Sequence, residues 1–272
     1  MAYTLVDSLV RAAIPTIVLT VFAVARRYLP ARSAKEFGTV YTIEELSARF
    51  AFTQWLVGAG VVVIGSVIVW GAHTLLVSLN QLFISLEGPS DFVLSPQTAI
   101  WWFLPGFAAI TLAWEATLGT WSLMGNRNEV ALYDYWTTAK AGFDSTRVLR
   151  IMAVAVVLPI AILTALALPE HAVLQKEEIR ARGYGFSGAR TYRYADARRI
   201  TVIDGFRQRD GKLVKRAGVV LDFADGRRWS SAAISNFEPN VDPELLRYIQ
   251  SKTGLEPQYV EAESDIPRAD QR

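Results

Sequence analysis

A single acidic residue, Glu115, interrupts a long apolar segment near the middle of the chain, FAAITLAWEATLGTWSLM. A carboxylate at membrane depth is costly unless it is neutral, paired or hydrated, and such residues often mark proton or ion paths. At helical spacing, Glu115 shares one face with small and hydroxyl residues that suit close contact between helices. These residues are Ala108, Thr111, Gly119 and Ser122. The segment therefore predicts a polar position that faces other helices.

An earlier apolar segment carries a comparable stripe, and we expect it to meet the face of Glu115. The stripe consists of Gln54, Gly58, Gly65, Val69, His73 and Asn80. At the depth of Glu115 it offers Gly65 and Ser66 and no cation, which predicts a carboxyl group that is neutral or reached by water. The candidate polar site is Glu115, His73, Ser66 and Thr111. Three interpretations stay open: a structural hydrogen bond, a proton, ion or substrate site, or an error in helical register.

Membrane spans are the elements that would position these residues. About 20 apolar residues cross a bilayer core, and four segments qualify at 5–25, 52–85, 99–124 and 148–168. We therefore predict a bundle of about four helices over residues 1–168. The motif TIEE, Thr42–Glu45, has the spacing of a capping box and predicts a helix that begins there and continues into the second span.

Charge divides the chain at Pro169. Residues 1–168 carry ten Lys/Arg and ten Asp/Glu, whereas residues 169–272 carry eighteen and sixteen, as expected for a separate soluble domain. The chain has no cysteine, which excludes disulfides and thiolate metal sites. The net charge of +2 does not favour a nucleic-acid partner. No metal or cofactor motif is present, so no cofactor is expected.

Loop charge predicts the orientation of the spans in a plasma or inner membrane. Residues 26–49 hold five Lys/Arg and residues 127–150 hold four, whereas the loop EGPSDFVLSPQT holds none. The positive-inside rule assigns the two basic segments to the cytoplasm. By parity, that loop and the C-terminal domain are then extracytoplasmic.

The C-terminal region alternates like a β-rich domain over residues 169–255. We predict strands in AVLQKEEIRAR, ARTYRYAD, RITVIDGFRQ, LVKRAGVVLDF and RRWSSAAI. A closing helix is predicted in NVDPELLRYIQSKTGL, with Asp242 as its cap, Pro243 in its first turn and Gly254 at its end. Residues 256–272 are polar and contain two prolines, which predicts a disordered tail.

This order of about five antiparallel strands and one closing helix resembles the bacterial pleckstrin-homology-like domains. The resemblance covers about residues 170–255 and rests on the stretch YRYADARRI, Tyr192–Ile200, and on the helix DPELLRYIQSKTG. It implies an open barrel or bent sheet capped by the helix, in a membrane-anchored interaction or regulatory module without catalysis. Such domains usually face the cytoplasm, which conflicts with the orientation that the loop charges predict.

Four arginines surround a glycine-rich hairpin, RGYGFSGAR, and are candidate contacts for anionic lipid head groups. They are Arg180, Arg182, Arg190 and Arg193. The alternative is a solvated edge hairpin whose arginines only aid solubility.

No spacing typical of a catalytic triad or a metal site occurs, so a non-enzymatic role is favoured. We expect an interaction, regulatory or assembly module that contacts the bilayer and either lipid head groups or a protein partner, including a second copy of itself. The competing function is a small transporter or channel-like subunit in which Glu115 handles a proton or cation. An intramembrane enzyme that uses Glu115 is the third possibility, although no second catalytic group is evident.

Overall fold

A computed structural model describes residues 27–31, 41–96, 100–185, 188–208, 211–234 and 240–267 of the 272-residue chain. The chain forms two compact units. The helical unit consists of the described residues up to Ala72 together with Leu104–Ile160. The sheet unit consists of His73–Phe103 and the residues from Ala161 onward.

Five α-helices of eight or more residues lie within the described ranges. They are α1 (Ile43–Ser85), α2 (Ile100–Leu123), α3 (Arg127–Ala141), α4 (Ser145–Ala167) and α5 (Pro243–Thr253). Eight strands accompany them: β1 (Phe92–Leu94), β2 (His171–Leu174), β3 (Glu178–Arg182), β4 (Arg190–Arg193), β5 (Ala197–Arg207), β6 (Leu213–Phe223), β7 (Arg228–Ser230) and β8 (Pro257–Ala262).

Two of the described helices, α1 and α4, are long and apolar enough to cross a membrane. The predicted bundle of about four spanning helices is therefore not found. The segment predicted at 5–25 lies outside the described residues, and the one predicted at 99–124 is the helix α2. This helix is not among the two, because tryptophan, glycine, threonine and Glu115 lower its mean hydropathy.

The capping box predicted at the start of α1 is confirmed. The Thr42 hydroxyl accepts the Glu45 N–H at 3.2 Å, and the Glu45 carboxylate accepts the Thr42 N–H at 2.8 Å. From there α1 continues for 43 residues, or about 65 Å at 1.5 Å per residue. The helix is thus longer than one membrane crossing requires.

Small residues bring α1 and α2 together, and Gly65 of the predicted α1 stripe takes part, but α2 uses a different face from the one predicted. Gly65 lies against Ala109 and Ala113, and a Cβ on Gly60 would come within 2.8 Å of the Thr117 methyl. Glu115 is two residues from both Ala113 and Thr117, which turns it about 200° away from this contact. The predicted meeting of the Glu115 face with α1 is therefore wrong.

The short helix α3 packs on the beginning of α1 through aromatic side chains. Tyr133 and Trp136 are fully buried with Phe50 and Leu46. Phe50 meets Tyr133 edge to face at 5.3 Å between ring centroids, and Trp136 Nε1 donates to Ser47 Oγ at 2.9 Å. The apolar face of α3 therefore fixes it against α1.

In the helix α4, Asp144 is the N-cap and accepts the Arg147 N–H at 2.9 Å. The helix widens into a π-helical turn over Ala153–Val157, immediately before Pro159. Because proline has no N–H to donate to the preceding turn, such a local change in hydrogen bonding is expected there.

The sheet unit contains two four-stranded sheets. The first has the order β1-β2-β3-β4 and is antiparallel throughout. The second has the order β7-β6-β5-β8, and its strand β8 runs parallel to β5. Ile179 from the first sheet, Leu221 from the second and Ile249 from α5 are completely buried in one shared core.

The unit contains more strands than the sequence predicted. AVLQKEEIRAR is not one strand but the hairpin β2–β3, closed by the Gln175 N–H donating to the Glu178 carbonyl at 2.9 Å. The strand β1 comes from the loop between α1 and α2, for which the sequence predicts no strand. The closing helix is confirmed, with the Asp242 cap, Pro243 in its first turn and left-handed Gly254.

The disordered tail predicted at 256–272 is wrong for its first part. Strand β8 pairs with β5, and Val260 and Ile266 pack beside buried Ile203 and Val220. This segment covers the face of the second sheet that α5 leaves free. The few apolar residues of this segment are sufficient to hold it in place, because β8 also pairs with β5 along its backbone.

Gly205, in β5, provides a test of how closely β5 packs on β6. A Cβ there would lie 2.0 Å from the Val214 carbonyl oxygen, and overpacking of this kind costs about 1–3 kcal/mol. We expect Gly205→Ala to lower the thermal midpoint of the detergent-solubilised chain, measured by tryptophan fluorescence. Gly188→Ala is the control, because nothing lies within 4 Å of a Cβ at that position. Equal midpoints for the two variants would contradict the packing of β5 on β6.

Candidate functional site

Glu115 is paired with an arginine. Arg150, in the second turn of α4, donates from Nε to Glu115 Oε1 at 2.8 Å and from a terminal nitrogen to Oε2 at 3.1 Å. The predicted absence of a cation is therefore wrong. The sequence prediction considered only residues of α1 as neighbours of Glu115. Glu115 faces α4 instead, and Arg150 belongs to α4. The Arg150 side chain is 65% exposed and that of Glu115 33%, so this two-pronged pair is only partly covered by the described residues.

The other residues of the predicted polar site do not join Glu115. Ser66 and Thr111 donate to carbonyls of their own helices, Val62 at 2.8 Å and Phe107 at 3.0 Å. His73 belongs to the sheet unit, where its ring stacks on Trp102 at 3.8 Å between centroids. These local contacts are structural in character.

A second charged cluster forms where α1 ends, around Glu87. This carboxylate is 8% exposed and accepts Arg182 Nε at 2.6 Å. A terminal nitrogen of Arg180 lies 4.0 Å from its other oxygen, and His171 Nε2 lies 3.8 Å away. Glu87 could not be identified from the sequence, because the pairing of β1 with β2 is what brings its loop to β2 and β3.

His171 is completely buried at the start of β2 and faces Arg182 across the hairpin. Burial lowers the pKa of His171, and Arg182 lowers it further. The Glu87 carboxylate and the Pro169 carbonyl oppose these effects. Because burial has the largest influence, the folded state favours the neutral imidazole.

Of the four arginines predicted to contact head groups, two are paired with acids of the sheet unit and two, among the described residues, are not. Arg182 is bound to Glu87, and Arg180 Nε donates to Glu178 at 2.7 Å. Arg190 and Arg193 are exposed and have no ion pair with any other residue that the structure describes. The predicted cluster is thus reduced to two available arginines, at the two ends of β4.

Arg193 opens onto a shallow polar cavity of about 500 Å³. Its other lining residues are Glu178, Arg180, Thr191, Asp196 and Arg227. Arg227 is already engaged by Asp225 at 2.5 Å and by the Thr191 carbonyl at 3.0 Å. With two acids present and two arginines paired, this cavity has little excess positive charge for an anion.

Two tyrosines lie between α5 and the first sheet, Tyr194 buried and Tyr248 partly buried, with ring centroids 6.4 Å apart. The Tyr248 hydroxyl lies 2.8 Å from Asp91 Oδ2 and 2.9 Å from the Gln175 carbonyl. Burial and the Asp91 carboxylate raise the pKa of Tyr248 to about 12, and burial also raises the pKa of Tyr194. Both phenols therefore stay neutral near pH 7, which suits packing and, for Tyr248, hydrogen bonding to the first sheet.

The glycine-rich hairpin between β3 and β4 returns to the end of α4. The Tyr184 hydroxyl donates to the Leu163 carbonyl at 2.9 Å, and the Gly185 N–H donates to the Leu166 carbonyl at 2.7 Å. The end of α1 is held nearby, since Asn80 Nδ2 donates to the Leu168 carbonyl at 2.8 Å. Tyr184 and Gly185, which we call the hairpin tip, thus lie beside the last turns of an apolar helix.

Within the described ranges, no group of three or more His, Asp or Glu side chains is arranged to hold a metal ion. Comparisons with protein-family models, with curated proteins and with solved structures gave no match. The resemblance to pleckstrin-like domains therefore stays a prediction that rests on the order of strands and helix.

The Glu115–Arg150 pair predicts a measurable coupling. We expect Glu115→Gln and Arg150→Gln each to lower the stability of the chain in detergent. The double variant should lose less stability than the two single variants lose in total. Because the pair is partly exposed, the coupling in detergent should be on the order of 1 kcal/mol or less. Thermal unfolding of the four proteins measures it. Strict additivity would show that the two side chains do not interact.

His171 predicts a loss of stability in mild acid. The unfolded chain binds a proton near pH 6.5, whereas the folded chain, with its lowered pKa, binds it only at lower pH. The unfolded state therefore holds more protons as pH falls through this window, and stability declines by at most about 1.4 kcal/mol per pH unit. Thermal midpoints from pH 7.5 to 5.5 should fall more steeply for the native chain than for His171→Asn. Identical slopes would contradict the assignment.

Proposed function

We propose that this chain is a multi-pass membrane protein whose sheet unit acts as a non-catalytic interaction module at the membrane surface, where it contacts anionic lipid head groups. The observation that carries the proposal is the position of the β3–β4 hairpin tip on the last turns of α4, through Tyr184 and Gly185. If α4 crosses the bilayer, this tip lies at the level where the apolar helix meets the head groups.

The surface of the helices supports the membrane assignment. Large apolar side chains on α1 are exposed to an extent that water would disfavour, with Trp55 at 80%, Trp70 at 70% and Val67 at 68%. On α4, Val154 is 66% exposed and Leu163 56%. Such surfaces suit contact with lipid chains.

The pairing of β1 with β2 supports the expectation that the loop after α1 and the C-terminal domain lie on the same side of the membrane. Strand β1 lies between α1 and α2, and β2 directly follows α4, so both segments must lie on the same side of any membrane that these helices cross. The loop charges predicted that arrangement and further predict that this side is extracytoplasmic. We retain that orientation as part of the proposal.

The head-group contact is best assigned to Arg190. It opens β4 directly after the hairpin tip, is exposed, and has no charged partner in the described part of the chain. Tyr184, 48% exposed and bonded to α4, is the kind of amphipathic ring found at membrane interfaces. A guanidinium beside it can form charge-assisted hydrogen bonds with a phosphate.

The architecture also agrees with an interaction module of the pleckstrin-like kind. Two small sheets share a core that α5 closes. Two features depart from the resemblance. The strand β1 enters from an interhelical loop, and β8 adds a parallel strand after the closing helix.

Transport through Glu115 is the weaker function. The carboxylate would have to leave Arg150 in order to take up a proton or cation, because both of its oxygens accept hydrogen bonds from that guanidinium. The ion pair therefore favours a structural role for Glu115.

Single cysteines test the position of the hairpin, because the chain contains none. We expect a fluorophore on Gly188→Cys in nanodiscs to be quenched at least twofold more by nitroxide head groups than one on Lys176→Cys. Lys176 lies in the turn at the other end of β3, and a five-residue strand is about 17 Å long. Equal quenching at the two positions would overturn the proposed contact with the membrane surface.

The same label tests the head-group preference. With anionic quencher lipids, Gly188→Cys should be quenched more than with zwitterionic ones, and adding Arg190→Gln should remove the excess. Arg198→Gln, a change of equal charge on β5, is the matched control. An excess that survives Arg190→Gln would contradict the role of this arginine.

A further inference from the structure

The helical unit contains a cavity between α1, α2 and α3, separate from the polar cavity beside Arg193. Its volume is about 370 Å³, within the range of small-molecule and lipid sites. It is lined by Gln54, Gly58, Trp114, Tyr133, Trp136, Thr137, Lys140 and Ala141. Gly58 leaves it open, since nothing lies within 4 Å of a Cβ built there. Three of the eight lining residues are aromatic, Trp114, Tyr133 and Trp136, and three others are polar.

The polar groups of this cavity favour an anion. Among the described residues that line the cavity, Lys140 is the one that carries a charge, and its ammonium lies 4.9 Å from the Trp136 ring centroid. None of these described lining residues is an acid. Trp114 Nε1 is buried and has no hydrogen-bond acceptor in the part of the chain that the structure describes. An indole N–H can only donate, so a ligand that offers an acceptor would satisfy it.

The cavity lies at a boundary between polar and apolar surface. Just before it along α1, Arg49 forms an ion pair with Glu129 of α3. On the same turn as Gln54 and Gly58, Trp55 is 80% exposed and Leu56 58%. A ligand in the cavity would thus have charged groups on one side and a lipid-facing apolar surface on the other.

We propose that this cavity binds one anionic phospholipid, with its phosphate at Lys140 and Trp114 Nε1 and its acyl chains along Trp55 and Leu56. Charge complementarity selects the head group, because a single cation without a neighbouring acid attracts net negative charge. The aromatic walls and the exposed apolar turn select a lipid rather than a soluble phosphate. This site is separate from the Arg190 contact and does not depend on it.

Native mass spectrometry of the full chain in detergent tests the site. The probes are phosphatidylglycerol, phosphatidylcholine and the soluble head group glycerol phosphate. We expect one phosphatidylglycerol to be retained in preference to phosphatidylcholine, and glycerol phosphate not to compete. Lys140→Gln and Trp114→Phe should each raise the apparent Kd for phosphatidylglycerol roughly fivefold to tenfold, as loss of one charge-assisted or buried hydrogen bond implies. Gly58→Leu should fill the cavity and abolish retention.

Matched variants separate binding from folding. Gly119→Leu adds the same side chain at another open helical glycine outside the cavity, and Arg147→Gln removes a charge elsewhere in the helical unit. Both should retain phosphatidylglycerol as the native chain does. Unchanged retention in Gly58→Leu, or an unchanged lipid preference in Lys140→Gln, would overturn the proposal. Competition by glycerol phosphate would also overturn it, in favour of a soluble anion.

Discussion

The sheet unit depends on one short antiparallel contact, between β1 and β2. Three residues of the loop between α1 and α2, Phe92–Leu94, form the edge of a sheet whose other strands follow about 80 residues later. Asp91 extends the contact, since its N–H donates to the Leu174 carbonyl at 2.9 Å and its carboxylate accepts the Tyr248 hydroxyl. Closing a loop of this length costs entropy, which grows only slowly with length, and the helices that bring the ends together reduce that cost. The sheet unit is thus assembled from two stretches of the chain that lie far apart in sequence, and not from the C-terminal region alone.

The same contact explains the buried charge at Glu87. A carboxylate that is 8% exposed has to be paired, and its partners come from β3 once the hairpin has formed. The end of α1 and the β2–β3 hairpin are therefore interdependent, because each would leave an unpaired charge without the other. This internal use of Arg182 also removes it from the surface, so the arginines around the glycine-rich hairpin are not equivalent. Only those that lie on β4 are free to meet a ligand.

The parts of the fold that local chemistry determines could be predicted from the sequence. The capping box at Thr42, the Asp144 cap and the Asp242–Pro243 start of α5 all follow from residues within a few positions of each other. The strands β1 and β8 could not be predicted, since each is short and is stabilised by a distant partner strand. Arg150 was missed for a related reason. The apolar pattern defines where helices lie along the chain, but not which face of α2 meets which neighbour.

The position of Glu115 follows from that face, and it bears on how α2 meets a membrane. An ion pair whose arginine side chain is 65% exposed belongs where water reaches it, and there desolvation costs little. The uncharged part of α2 before Glu115 is 15 residues long, about 22 Å, which is shorter than a typical hydrocarbon core. In a chain that crosses the bilayer, Glu115 would thus lie at the polar boundary, and the last turns of α2 would lie in the interfacial layer. Trp121 contacts Tyr133 of α3 in that region, with ring centroids 5.6 Å apart, as expected for amphipathic aromatic residues at an interface. The carboxylate that first suggested an ion path is then better explained as the charged end of the apolar part of α2.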